Sequence, residues 1–498
     1  MAENREEGGR ANPQEQYGYE VTHAVAQVHE LIADDSTEAS VVGIGGRVVA
    51  IRHFGGVAFA DVRDNTGVIQ VKAHRGETPE EGTPEFSAFT KLNKGDWIGV
   101  TGLTGKSGKD NTPNILVGDW ATLAATQIDF PNTRQGVRNP DTRARQRYLD
   151  LAANPESNRR FQACSEIVRL TRSMLADEDF IEVNTGILQA VYGGANAKPF
   201  TTHHNTLDMK AYLRIATELR LKEVVVGGYP KVFELGPDFR NEGMDADHSP
   251  EFTMVEIYAA YWDYRHQMAL TERLVGGLAF ALHGDTSITY QGKAVDLSAP
   301  WRRATMDDLV SEATGEEVNI NVGARRLRAL ANRHGVDFDN SAGPGRLLAG
   351  LYEATVEDTL QGPIFVTDYP EEISPLARSH RSRPGYTERF EGFVAGSELC
   401  NGYTELNDAE TQYIRFLEQD ARRGQDAEAM PIDHDYVRAL MYGLPPTAGL
   451  GIGMDRLAML LTDAPTIRDV ILFPLMRPDG FKVDPATFRE PQKSARSK

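Results

Sequence analysis

Two segments far apart in the chain set the strongest limit on its architecture. One is Phe239-Arg240-Asn241-Glu242-Gly243, followed shortly by Pro250-Glu251-Phe252-Thr253-Met254-Val255-Glu256; the other is Gly449-Leu450-Gly451-Ile452-Gly453-Met454-Asp455-Arg456. Taken singly, each is ordinary. An arginine after an aromatic residue is usually a surface charge, and a glycine-rich turn usually only bends the chain. Occurring together and in this order, they are a strong signal.

Length and charge bound the rest. A chain of 498 residues has room for two to four domains and an ample core. With 72 acidic against 53 basic side chains the formal charge is -19, which excludes a general basic coat for nucleic acid and leaves only local patches to hold a phosphate backbone. The two cysteines, Cys164 and Cys400, are too few for a disulfide framework and lack metal-ligand spacing, which suits a reducing, cytoplasmic setting. No apolar run is long enough to span a bilayer, and MAENREEGGRANPQEQ lacks the apolar centre of a signal peptide, so no membrane partner is expected.

Texture divides the chain. Residues 1–38 read as a polar, mobile segment with one short helix. From 39 to 130 come five β-rich stretches, VVGIGGRVVAIR, GVAFADVRD, GVIQVKA, DWIGVTGLTG and NILVGDWATLAA, separated by Gly, Asn and Asp turns. Five such strands suggest a small OB-type barrel, and alternation alone leaves open whether it binds oligonucleotides or is structural. The connector 131–158 carries Arg134, Arg138, Arg143, Arg145 and Arg147, equally readable as a phosphate patch or as a saddle between domains. An amphipathic helix is predicted from about Asn158 to Asp179, with Phe161, Cys164, Ile167, Val168, Leu170, Met174 and Leu175 at helical spacing. Mixed elements over 159–285 and 361–490 fit an antiparallel sheet flanked by helices, an α+β core. Residues 286–360 read as a helical insertion, and the basic tail FREPQKSARSK as a frayed end.

The two opening segments resemble motifs 2 and 3 of the class II aminoacyl-tRNA synthetases. RQRYLDLAANPESNRRF, KPFTTHHNTLDMKAYLRIATELRLKEVVVGG, EFTMVEIYAAYWDY, ERFEGFVAGSELCNGYTELND and PPTAGLGIGMDRLAMLLTDAPTIRDVILFPLMRP narrow the resemblance to class II lysyl-tRNA synthetases, over about 40–480. It implies ATP-dependent activation of lysine as the adenylate and transfer to the 3′ end of tRNA, with ATP and Mg2+ and as a homodimer. Two anions approach each other in that reaction, so fixed cations are needed. A guanidinium is always charged and offers a planar fork of donors. The resemblance therefore puts Arg240 on the α-phosphate and Arg456 at the far end of the nucleotide, both as catalytic groups.

By the same resemblance Glu242 and His248 lie along the motif 2 loop, and Phe252 and Arg456 sandwich the adenine. Glu391 and Glu398 take the magnesium, which accepts a few carboxylates completed by phosphate and water. Taken alone, two such glutamates are usually surface acids. Glu218 meets the α-amino group of lysine beside Gly193 and Gly194, Glu405 meets the ε-ammonium with Tyr258 alongside, and Glu256, Asn401 and Tyr403 complete the lining. Acids left unpaired by a neutral amino acid are costly to bury, which is a basis for rejecting it. On the barrel, Phe59 and Gln70 are the implied anticodon readers, with Arg47 as a nearby cation; without the family, Phe59 on a strand reads as core.

Three departures from the family pattern stand out. Gly186 replaces the proline of motif 1, Asp247 replaces an arginine before His248, and Arg220 replaces an aromatic residue near Glu218. They put dimerisation, ATP affinity and substrate choice in question. A specialised paralogue charging lysine or a lysine-like amino acid for another acceptor is one alternative. A catalytically silent RNA-binding or regulatory protein is the other, and the retained Arg240, Glu391, Glu398, Glu405 and Arg456 speak against it.

Overall fold

The computed structural model describes residues 18–34, 38–76, 86–132, 135–339, 341–421 and 430–482. The expected mobile start through residue 17, Arg134 and the tail FREPQKSARSK lie outside these. The chain forms two compact units, one of residues 1–158 with 477–498 and one of residues 159–476.

In the first unit, β1 (Val41–Phe54), β2 (Val57–Arg63), β3 (Val68–His74), β4 (Trp97–Ser107) and β5 (Thr112–Ala124) close into a barrel in the order β1-β2-β3-β5-β4. The period-2 pattern decides what faces inward. Ala58, Ala60 and Val62 of β2 and Ile69, Val71 and Ala73 of β3 are buried in the barrel core, while Phe59, Asp61, Gln70 and Lys72 alternate with them on the outer side. A short helix, Val25–Ala33, buries Val25, Val28 and Ile32 against the same core.

The connector arginines are mostly occupied by acids of their own unit. Arg147, with 1% of its side chain exposed, binds Asp150 at 2.6 Å, Arg143 binds the same carboxylate at 2.9 Å, and Arg145 binds Asp141 at 2.6 Å. These pairs tie the connector to its own unit; Arg138 among the described members is exposed with a long contact, 3.4 Å to the Gln135 carbonyl.

The second unit begins with the helix Pro155–Asp177, whose first turn the first unit shares and which starts three residues earlier than its apolar spacing predicts. Proline tolerates the first turn of a helix because its missing N–H has no intrahelical partner there. The remaining strands are β6 (Ile181–Glu182), β7 (Leu188–Gln189), β8 (Thr201–His204), β9 (Met209–Leu213), β10 (Lys231–Phe239), β11 (Glu251–Ala260), β12 (Ser287–Tyr290), β13 (Lys293–Asp296), β14 (Arg302–Thr305), β15 (Ile364–Thr367), β16 (Arg389–Val394), β17 (Ser397–Thr404) and β18 (Thr447–Gly453). Eight of them make one sheet, β14-β15-β16-β17-β18-β11-β10-β6, antiparallel except at its two edge pairs. The α+β class read from the sequence is therefore the architecture found.

Within 286–360 the helical character starts only at Met306. The first part is the β12-β13 hairpin and the edge strand β14, and three helices follow, Met306–Thr314, Ala324–Arg333 and Pro344–Thr355, around a core of Leu309, Leu327, Leu347 and Leu351. The hairpin and edge segments are short, so their alternation is too brief to stand out from coil.

Candidate active site

The glycine-rich segment Thr447–Gly453 is a strand rather than a turn, and its register explains its composition. Antiparallel pairing sets Glu256 opposite Gly451 and Tyr258 opposite Gly449 on one side, and Asn401 opposite Gly451 and Tyr403 opposite Gly449 on the other. Side chains alternate across a strand, so Gly449 and Gly451 share one face with Glu256, Tyr258, Asn401 and Tyr403. Leu450 and Ile452 turn to the core, among Val255, Ile257 and Cys400. From Gly449 to Gly453 this strand thus has no side chains along one face, and the polar residues of its neighbours rim that trough. A Cβ on Gly449 would stand 2.1 Å from a Glu405 oxygen and 2.5 Å from the Tyr258 ring.

One end of the trough holds the two arginines. Arg240 follows β10, with its guanidinium 5.0 Å above the Phe252 ring and its Nε 3.4 Å from the Ile215 carbonyl. The neighbouring Thr253 N–H donates to Asp455 at 2.7 Å, tying β11 to the start of the helix Met454–Leu461 and so to Arg456. Arg456 donates to the Glu398 carbonyl at 2.7 Å and stands 3.5 Å from the Glu398 carboxylate. It also lies 3.1 Å from His248 Nε2, while His248 Nδ1 lies 2.9 Å from Asp245. The motif 2 loop and the helix after β18 are thereby joined. A small cleft lies beside Arg456, lined by Tyr290, Glu398, Leu399 and Met459 among others.

Phe252 packs against Arg240. Asp247 leaves the chain of charges to its neighbour: it is exposed, and its backbone N–H, like that of His248, donates to Asp245 at 2.8 Å. Glu242 accepts the Lys198 N–H at 3.2 Å.

Glu391 sits on β16 opposite Asn401, with Tyr369 donating to it at 2.8 Å and Arg389 at 2.7 Å. Burial pushes its carboxyl up to about 7; Arg389 opposes the shift and the nearby Glu398 adds to it. Arg389 also donates to Asn401 at 3.2 Å. Tyr369 and Arg389 were not foreseen, since neither stands in a distinctive spacing.

The other end of the trough is acidic. Glu256 accepts from the Thr217 N–H at 3.1 Å and from the Tyr258 hydroxyl at 3.0 Å, and burial pushes it up to about 8. Glu218 opens the helix Glu218–Val226, and Gly194 passes so close that a Cβ there would lie 3.2 Å from that of Glu218. Glu218 and Glu405, expected at opposite ends of a bound substrate, are brought together on one internal cation. The ammonium of Lys222 is 2.7 Å from Glu218 and 2.8 Å from Glu405, with none of its side chain exposed. Burial disfavours the charge of Lys222, yet the two carboxylates outweigh it and hold its pKa well above the ordinary lysine value. Lys222 was missed because a lysine four residues after a glutamate on a helix usually marks a solvated pair; the apolar neighbours in LRLKEVVV were the available signal.

Arg220 points away from this group, paired with Glu223 at 2.7 Å and with Asp433 at 3.8 Å. Gly186 has φ of 84° and donates its N–H to Asn184 at 3.0 Å, neither of which a proline permits. On the barrel, Phe59 lies between Arg52 and Lys72 on the outer face, and Gln70 lies beside Asp61, so Phe59 is not a core residue. Arg47 is engaged in the barrel itself: it donates to the Gly95 carbonyl at 2.9 Å and lies over the rings of Trp97 at 4.8 Å and Phe130 at 5.1 Å.

Residues 139–477 match the family described as tRNA synthetases class II (D, K and N), and residues 42–123 the family described as OB-fold nucleic acid binding domain. The chain is 47% identical over 477 residues to the lysine-tRNA ligase of Parasynechococcus marenigrum, an alignment covering 94% of each protein. It is 46% identical over 476 residues to that of Prochlorococcus marinus, covering 93% of this chain and 94% of the other. The similarity to the lysine-tRNA ligase of Nostoc punctiforme is 44% over 474 residues, 93% of this chain and 84% of that protein. With the barrel, the eight-stranded sheet and the paired arginines already in place, these similarities settle the family: the chain belongs to the class II lysyl-tRNA synthetases.

Proposed function

We propose that this protein activates lysine with ATP, forming the adenylate with loss of pyrophosphate, and passes the lysyl group to a ribose hydroxyl at the 3′ end of tRNA. The observation that carries this reading is the trough itself, with arginines at one end and three buried acids, Glu218, Glu256 and Glu405, at the other. Lysine has two ammonium groups and one carboxylate, and it fits such a trough with its carboxylate toward the arginines.

In this reading Arg240 neutralises charge that builds on the α-phosphate, with Phe252 beneath it as a face for the adenine. Arg456 holds the far end of the nucleotide, oriented by His248 and Glu398. Glu218 receives the α-amino group near Gly194, Glu405 and Tyr258 receive the side-chain ammonium, Asn401 lies toward the carboxylate, and Tyr403 packs along the aliphatic stem. Neither step needs a protein nucleophile, because the substrate carboxylate and then the ribose oxygen do the attacking. Positioning and charge compensation are what the protein supplies.

Glu391 and Glu398 are hard oxygen donors on adjacent strands whose mutual repulsion a cation would relieve, so they fit Mg2+. Among the described residues no group of three or more His, Cys, Asp or Glu is gathered for a metal. Two carboxylates suffice where nucleotide phosphates and water complete the ion. When bound, it would supply Lewis-acid stabilisation of phosphate charge.

The barrel supports tRNA binding, with Phe59 as a stacking face and Gln70 as an amide reader of a base edge. Arg47 is a structural cation in this reading. This reading includes a homodimer in a cytoplasmic setting, and the exposed Ile181 and Leu188 next to the motif 1 segment support an assembly face. Among the described residues no helix is long and apolar enough to cross a membrane.

The test is an ATP-pyrophosphate exchange assay with a panel of amino acids, followed by charging of tRNA. Lysine-dependent exchange is expected. Exchange only with another amino acid points to a specialised paralogue, and a folded protein without exchange overturns the reading.

A further inference from the structure

Lys222 is a buried cation placed where the reading above puts substrate cations, and a purely structural role does not account for it well. A buried ion pair is roughly neutral for stability, because removing the charges from water costs about as much as their attraction returns. The arrangement is also incomplete on its acidic side. Lys222 takes one oxygen of Glu405, and the other, Oε1, is buried without a hydrogen-bond partner, facing Gly449 and Tyr258.

Charge counting gives the missing partner. Lys222 is faced by Glu218 on its own helix, by Glu405 just after β17, and by Tyr436 on the helix His434–Met441, whose ring lies 5.2 Å from the ammonium; Glu256 and Tyr258 on β11 and Tyr403 at the end of β17 lie beside those two carboxylates. Asp238 is nearby on β10 but is paired with Arg214 at 3.0 Å. Two acids on Lys222 and a third beside them, Glu256, are therefore gathered around one fixed cation. A ligand with two ammonium groups makes the count three against three. One ammonium leaves a buried acid unmatched.

Resting on the lysine reading above, we infer that Lys222 is a specificity-setting positioning residue: it ties Glu218 and Glu405 into one unit and fixes at two the number of ammonium groups the pocket accepts. It touches no reacting atom. It acts through Glu405, leaving Oε1 as the seat for the side-chain ammonium of a diamino acid.

The test is Lys222→Met, which keeps the length and apolar stem of the side chain, in the full-length protein under the exchange assay. The KM for lysine is expected to rise at least tenfold while the KM for ATP stays within twofold, and Lys222→Arg, which keeps the charge, recovers most of the lysine affinity. An unchanged lysine KM overturns the inference. So does an equal rise in both KM values, which marks a structural role. If Lys222→Met does not fold, Lys222→Arg decides alone: lysine KM within about fivefold of the parent supports the inference, and a loss beyond a hundredfold with normal ATP binding overturns it. Absence of lysine exchange in the parent protein is a failure of the lysine reading, distinct from indifference to position 222.

Discussion

Arg456 meets His248 through the imidazole Nε2, at 3.1 Å. A guanidinium can only donate, so Nε2 must accept, and the ring proton then sits on Nδ1, directed at Asp245 2.9 Å away. Asp245 in turn is held below the usual carboxylate range despite some burial, by the Asp247 N–H and by His248. The acid of the motif 2 loop therefore orients the histidine that orients the arginine, and Asp247 serves through its backbone.

Asp245→Asn removes the charge that fixes this tautomer. The KM for ATP is expected to rise about tenfold, the size of one hydrogen bond to a charged group, with the lysine KM unchanged. Steady-state exchange kinetics check it.

Arg240→Ala removes a preorganised donor from the site of phosphate charge, a loss of about 3 kcal/mol, or a hundredfold or more in exchange rate. Binding of tRNA, followed by filter retention, is expected to survive. Joint loss of both would mark Arg240 as structural.

Lysine binding should be linked to protons. Burial and neighbouring acids push Glu256 and Glu405 up to about 8 from an ordinary 4.5, Lys222 only partly offsetting this at Glu405. A bound ammonium lowers both values, so at pH 7 binding releases protons and affinity increases between about pH 6 and 8. Stability without lysine runs oppositely. The contribution of these carboxyls is complete below about 4.5 and is lost as pH rises through about 8, since the folded state binds the extra protons. Calorimetry in buffers of different ionisation enthalpy checks the release, and an affinity flat over this range contradicts it.

Phe59→Ala and Gln70→Ala leave the catalytic unit intact. Stacking on an aromatic ring is worth about 1–3 kcal/mol per base, so the KM for tRNA is expected to rise at least fivefold while lysine-dependent exchange is unaltered. Charging kinetics against exchange kinetics separate the two.

Gly186→Pro, which writes the family residue into this chain, is expected to destabilise it by about 1–3 kcal/mol. Proline cannot reach a φ of 84° and has no N–H to give Asn184. Thermal unfolding checks the fall.

Legibility followed the range of the interactions. The barrel strands were readable because alternation is a local property, and Arg240, Arg456 and the acids because their segments are distinctive. Lys222, Arg389 and Tyr369 were not, because each acquires meaning only from a partner brought alongside by strand pairing. Phe59 shows both sides: its outward position follows from alternation in VAFADVR, yet an aromatic residue on a strand reads as core until its neighbours are known. The helical reading of 286–360 passed over β14, whose partner β15 lies about sixty residues on.

The order of the large sheet bears on how the protein is made. Its strands β11 and β17 are both synthesised well before β18, which lies between them. A nascent chain that has emerged only as far as Met441 holds two half-sheets, each with an open edge of unpaired N–H and C=O groups, the situation most prone to wrong pairing. Insertion of one glycine-bearing strand closes both edges and forms the glycine-floored trough in a single event.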